Sequence, residues 1–287
     1  MVHHCDMRFP GGRDKALTFS YDDGVKGDIH LLELFKKYGV KGTFNLNSGR
    51  FRPESGEYPA KMNRRLSAPE AVALFADAPE AEIACHTLTH GFLDRVDPAV
   101  AMYETVEDRR KLEKLFGRIV RGMAYPFGTY NDTVVDILRL AGIDYCRVVK
   151  PSLGFAIPKD WLRLQATCHH NHPQLMEFAD KFLEPISHYG GPAKLFYVWG
   201  HAYEFDDNNN WDVMENFLEK MAGREDVWYA TNGEVYAYCK AYESLVWSAD
   251  MSRVHNPSAM DIWVSQNDKL LCIPAGQCVE APVEWNL

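Results

Sequence analysis

Leu17-Thr18-Phe19-Ser20-Tyr21-Asp22-Asp23-Gly24 reads as a short β-rich run that ends in two adjacent carboxylates and a glycine. Runs of the same kind recur at Gly42–Leu46, Glu82–His86, Gly122–Pro126, Tyr145–Val149, Trp161–Thr167, Leu195–Trp199 and Val227–Ala230. Most are separated by stretches with helical spacing: Ile29, Leu32 and Phe35 on one face, Val134, Ile137, Leu138 and Ala141 on another, Val213, Phe217 and Met221 on a third. Ser67-x-x-Glu70 and Thr231-x-x-Glu234 read as capping boxes that open helices. The connection from Tyr145–Val149 to Trp161–Thr167 lacks a clear helix. A βα repeat implies a parallel sheet, and this many strands favours a barrel over an open sheet.

The pattern changes near Ser244. Leu245–Trp247, Ile262–Val264 and Leu270–Ile273 are short strand-like runs broken by Asn256-Pro257 and Gln266-Asn267. The expected division is a barrel over residues 1–243 and a small β appendage over residues 244–287, packed on the barrel because so short a stretch forms a weak core alone. With 46% apolar and 25% charged residues, the composition is that of a globular chain with a sizeable core. A net charge of −9 argues against nucleic-acid or anionic-membrane partners. No apolar run approaches the roughly 20 residues that span a bilayer. Residues 1–15 show no signal-peptide h-region. The seven scattered cysteines form no C-x-x-C pair, so reduced thiols in a cytoplasmic protein are expected.

Four clusters follow predicted strands and would therefore share one end of a barrel. Asp22-Asp23-Gly24 offers one carboxylate to a metal and one as a base, although the same tripeptide also describes an exposed turn. His86-Thr87-Leu88-Thr89-His90 has the i,i+4 histidine spacing that chelates zinc, without the glutamate of the H-E-x-x-H proteases. Ala124-Tyr125-Pro126-Phe127-Gly128 is a turn whose backbone N–H groups can face an oxyanion, or simply a structural turn. Gly200-His201 follows an apolar strand and offers a proton donor, or a surface histidine. Taken together, an Asp-His-His donor set with a second carboxylate and a third histidine is the kit for metal-assisted hydrolysis.

These motifs resemble those of the polysaccharide deacetylase (NodB-homology) family. Tyr21-Asp22-Asp23-Gly24 is similar to the D-D-G end of the family's T-F-D-D-G, and His86-Thr87-Leu88-Thr89-His90 to its H-[ST]-x-x-H. Ala124–Gly128 matches R-x-P-x-G in part, and Trp199-Gly200-His201 stands where the family has L-x-H. The resemblance covers residues 15–240 or so and implies a distorted (β/α)7-type barrel. It implies that Asp22 is the general base, that Asp23, His86 and His90 hold one divalent metal (zinc, with cobalt, nickel or manganese as alternatives), and that His201 is the general acid. The Phe127 N–H beside Pro126 would line the oxyanion hole, and Tyr125 and Trp199 would wall an acetyl pocket. The implied activity is removal of acetyl groups from N- or O-acetylated carbohydrate.

One departure has consequences. The family's third-motif arginine, which pairs with the base, is Ala124 here, which would leave Asp22 less depressed in pKa. Arg147, on the next strand region, can supply that cation, whereas Arg121 enters its strand from the opposite end. Asp160-Trp161 resembles the family's Asp-Trp motif. His169, His170 and His172 follow a strand and are candidates for substrate contact or a second metal. Rival readings are an allantoinase-like amide hydrolase on the same fold, a non-haem iron oxygenase using the two-histidine-carboxylate triad, and a non-catalytic carbohydrate binder. Substrate identity and oligomeric state are not written in these motifs.

Overall fold

The computed structural model describes residues 5–56, 59, 64–186, 191–266 and 269–282. The strands in chain order are β1 (Cys5–Arg8), β2 (Lys15–Asp22), β3 (Gly42–Leu46), β4 (Ala81–Cys85), β5 (Gly122–Ala124), β6 (Tyr145–Val148), β7 (Leu164–Gln165), β8 (Cys168–His169), β9 (Lys194–Gly200) and β10 (Val227–Tyr229). After them come β11 (Val246–Trp247), β12 (Arg253–His255), β13 (Ile262–Gln266), β14 (Lys269–Ile273) and β15 (Cys278–Glu280).

The large sheet is parallel, in the order β7-β6-β5-β4-β3-β2-β9-β8, with β10 beside the start of β2. Its two edge strands, β7 and β8, are separated in sequence by Ala166 and Thr167 alone. Two residues span about 7 Å, so the sheet must curl until its edges meet. Residues 164–169 act as one split strand that pairs first with β6 and then with β9. Seven staves result, in keeping with a distorted (β/α) barrel. The run expected at Trp161–Thr167 is a 3-10 turn over Trp161–Arg163 followed by β7.

Alternation along each strand sorts side chains into two layers. On β2, Leu17, Phe19 and Tyr21 face outward into the helix layer, where Phe19 meets Phe35 at 4.8 Å. On β9 the outward Phe196 meets Phe217 at 5.4 Å. The inward residues are strongly polar. Thr18 donates to Asn232 (2.9 Å), Asn232 to the Tyr197 hydroxyl (2.7 Å), and Asn45 to Ser20 (2.7 Å). This inward column on β2 ends at Asp22, in the mouth of the barrel.

Both expected capping boxes are present, opening helices Ala68–Phe75 and Asn232–Glu243. Helix Gly27–Tyr38 buries Leu31, Leu32, Leu34 and Phe35. Ile29, expected on that face, is exposed, because the helix rests on a wider stripe that begins at Asp28. Beyond Ser244, β13 and β14 form a sheet with the N-terminal β1, and β11, β12 and β15 form another. Hydrogen bonds thus tie the first described residues to the C-terminal region; the last five residues of the expected appendage lie outside the described residues. Met7, Phe9, Val254, Ile262 and Val264 pack there against Val235 and Tyr238 of helix Asn232–Glu243. All seven cysteines are unpaired. Among the described residues, no helix is long and apolar enough to cross a membrane.

At the other end of the barrel, Glu82 is half-buried and accepts from Thr43 Oγ1 (2.8 Å), Tyr145 Oη (2.7 Å) and Gly233 N (2.8 Å). It joins β3, β4, β6 and the last helix. Glu82→Ala strands three donors, so a loss of about 3 kcal/mol or more in denaturant-unfolding stability is expected. Metal affinity at the opposite mouth should change far less.

Candidate active site

The mouth is built from the ends of β2, β4, β5, β6 and β9. Asp22 is its centre. Its Oδ1 accepts from Asn45 Nδ2 at 2.8 Å and its Oδ2 from Arg147 Nη2. The Nε2 atoms of His86 and His201 lie 3.8 and 3.9 Å from that same Oδ2. Burial alone would raise the Asp22 pKa, but Arg147, then His86 and His201, bring it down to about 2. Arg147 is wholly buried and lies 4.1 Å over the Trp199 ring.

The departure from the motif thereby finds its structural explanation. Ala124 and Arg147 are register partners on β5 and β6, so the cation next to Asp22 comes from the neighbouring strand in the same inward layer. Arg121 pairs instead with Asp144 outside the mouth, and Asp160 pairs with Arg163 at the surface.

Asp23, His86 and His90 place one donor atom each within 4.8 Å of one another. The buried His86 donates its Nδ1–H to the Ala124 carbonyl at 2.8 Å, which leaves the Nε2 lone pair facing the mouth. Burial keeps His86 below the ordinary imidazole pKa, and burial followed by His86 brings His90 to about 4, so both rings are neutral donors. Asp23 is held below the usual carboxylate range: burial opposes ionisation, but His86, Arg65 and His90 outweigh it. Neutral imidazoles with an ionised carboxylate fit a borderline divalent ion such as zinc.

The His86–His90 segment is a bent loop with left-handed residues at Thr87 (φ 64°) and His90 (φ 61°) rather than a helical turn. Helix Pro98–Phe116 clamps it. Glu104 accepts from Thr89 N (2.8 Å) and Oγ1 (2.7 Å), and Asp108 from His86 N (3.1 Å) and Ser48 N (2.7 Å). Asn47 donates to the carbonyls of His86 and Thr87. Arg65 grips Asp23 through both its carbonyl (2.7 Å) and its Oδ1 (3.0 Å). None of these supports was read from the sequence. Asn45 and Asn47 bracket a predicted strand end, but Arg65 carries no local signal.

Pro126 and Phe127 form the turn after β5, with Phe127 at φ 58°. The Phe127 ring is half exposed, 4.5 Å from His90 and stacked on Phe92 at 3.8 Å. Tyr125 is not a pocket wall. Being one residue out of phase with the inward Ala124, it faces the helix layer, where it stacks on Tyr130 at 5.0 Å and donates to Leu162 O at 3.0 Å. Trp199 faces inward under Arg147.

His201 turns Nδ1 to Glu204 Oε1 (3.1 Å) and Nε2 to Asp22. Burial opposes charging of this ring, yet Glu204 and Asp22 raise its pKa above the ordinary value. Glu204 Oε2 also lies 3.1 Å from Nε2 of both His169 and His170. His169, His201 and Glu204 are close enough to chelate. His169 Nδ1, however, already accepts the Asn171 N–H at 3.1 Å. His172 sits apart, against Phe178 at 5.3 Å. Glu204, three residues after His201, is a helical neighbour that the sequence does display.

Residues 10–146 match the family model described as polysaccharide deacetylase. A Mycobacterium smegmatis protein assigned to the polysaccharide deacetylases shares the fold with a TM-score of 0.59, at 14% identity over 83% of this chain and 94% of that one. The Streptococcus pyogenes deacetylase PplD, in complex with acetate, aligns at 21% identity over 58% of this chain and 69% of its own, with a TM-score of 0.49. A pseudoenzyme of carbohydrate esterase family 4 from Bacillus anthracis aligns at 16% identity over 80% and 68%, with a TM-score of 0.48. No curated protein sequence matches the chain.

Two titrations probe this electrostatic arrangement. Replacing Arg147 by Met leaves burial to dominate, so the Asp22 pKa followed by carboxyl-carbon NMR should rise. Glu204→Gln removes a charge that favours the imidazolium, so the His201 pKa followed by imidazole NMR should fall.

Proposed function

From a chain whose residues 10–146 match the polysaccharide deacetylase family model, we propose a metal-dependent deacetylase that acts on acetylated carbohydrate. The family hydrolyses acetyl amide or ester bonds, and the chain is an enzyme of that class. The observation that carries the finer reading is the arrangement around Asp22. A base, two members of a donor triad and an acid share one mouth, with His86 and His201 both within 4 Å of the same carboxylate oxygen.

Asp23, His86 and His90 would hold a divalent ion, zinc by donor chemistry, which supplies Lewis-acid polarisation of the acetyl carbonyl and acidifies a water. Asp22, ionised at neutral pH through Arg147, takes a proton from the attacking water. Arg147 and Asn45 fix the carboxylate so that its free edge faces the mouth. His201, oriented by Glu204 at Nδ1, delivers a proton from Nε2 to the leaving nitrogen or oxygen. The Phe127 N–H is the candidate oxyanion donor, and the exposed Phe127 ring offers a flat apolar face to a sugar ring. The inward layer of a parallel barrel supports this assignment over an oxygenase, for which a paired base and acid would have no role.

The test is metal content of the purified protein together with acetate release from a panel of N- and O-acetylated sugars. Wild type should carry about one divalent ion per chain and release acetate; His86→Ala should lose both. Asp22→Asn should keep the metal and lose about 10²- to 10⁴-fold in kcat. A well-folded wild type that neither binds a divalent ion nor releases acetate would overturn the reading.

A further inference from the structure

Beside the donor triad lies a cleft of about 590 Å³, lined by Asp23 and His90 together with Arg50, Arg64 and Arg65. In a chain of net charge −9, three guanidiniums converge on one cavity next to the chemistry.

Their placement is built into the backbone. Residues 64–66 form a strap across the loop after β2. Lys26 N–H donates to Arg64 O (2.7 Å), Leu66 N–H donates to Gly24 O (2.9 Å), and Val25 forms an antiparallel bridge with Arg65. Arg50 hangs from a turn locked to the His86–His90 loop, where Gly49 N–H donates to Leu88 O at 2.9 Å. Any side chain at position 49 would meet that carbonyl at 2.5 Å, so glycine permits the close approach that sets Arg50 in place.

The three arginines are not equivalent. Arg65 is largely buried, with its N–H groups committed to Asp23 and Asn47. Arg64 is half exposed and pairs with the half-exposed Asp207 at 2.7 Å; such surface pairs are weak and exchange readily. Arg50 is exposed and has no acceptor among the described residues. Three positive and two negative side chains line the cleft, and a divalent ion on the triad would add to the excess. A guanidinium fork pairs bidentately with carboxylate and phosphate oxygens.

We propose that this cleft is a subsite for an anionic substituent, a carboxylate or a phosphate, bound by Arg50 and Arg64, so that the preferred substrate is an acidic acetylated sugar. The proposal names the substrate class of the deacetylase reading and rests on it. Negative charge on the sugar is drawn toward the mouth by the local field although the protein as a whole is acidic.

The experiment uses the full metal-loaded chain and three matched probes: tri-N-acetylchitotriose, its 6-O-carboxymethyl form and its 6-phosphate form. Calorimetry should show at least one acidic form binding about tenfold or more tighter than the neutral one. That preference should weaken as salt rises and collapse toward unity in the Arg50→Ala/Arg64→Ala double variant. The two acidic forms separate carboxylate from phosphate recognition. Equal binding of all three, or a preference that survives in a folded double variant, overturns the subsite. Acetate release is followed alongside: none from any probe sinks the deacetylase reading, while the calorimetry still decides the subsite.

Discussion

The buried pair between Arg147 and Asp22 is the interaction on which the site depends. Placing a carboxylate inside the barrel mouth carries a large desolvation penalty, and without a cation it would take up a proton. Arg147 keeps Asp22 ionised, and the Trp199 ring supports the other face of the guanidinium. Asn45 holds the second carboxylate oxygen. A buried ion pair of this kind contributes little net stability; its consequence is a carboxylate fixed in position and charge, as the proposed role of Asp22 as base requires.

Four of the seven non-glycine residues with positive φ among the described residues lie at the same end. Asp23, Thr87, His90 and Phe127 all have left-handed backbone without being glycine, a conformation that costs of order 1 kcal/mol or more per residue. Each lies in or beside the triad. The clamps compensate: Glu104 and Asp108 hold the histidine loop from the long helix, and Arg65 holds Asp23 from the strap. The opposite end of the barrel is tied together by Glu82 and packed against the C-terminal sheets.

Much of the fold was legible because short β-rich runs alternate with stretches of helical spacing, and because capping boxes advertise helix starts. The split strand at residues 164–169 was less so, since two-residue strands have no period to read. Ile29 and Tyr125 show the limit of local pattern. Ile29 lies in an expected helix and Tyr125 just past the end of a strand shorter than expected, yet which way each faces was settled by the phase of the neighbouring strands and helices. Asp22, Asp23, His86 and His201 were visible because each stands at or just past a strand end, and strand ends in such a barrel meet; His90 was visible from its spacing four residues after His86.

The sequence by itself determined the repeat of strands and helices, the donor types and the strand ends at which they sit, since these follow from local periodicity and side-chain chemistry. Only the tertiary structure decided that Arg147 replaces the cation missing at Ala124, that Glu204 backs His201, and that Arg50, Arg64 and Arg65 share a cleft. Those facts depend on strand register and on loops crossing from distant segments. A hydrogen bond between residues 125 positions apart leaves no trace in the spacing of either.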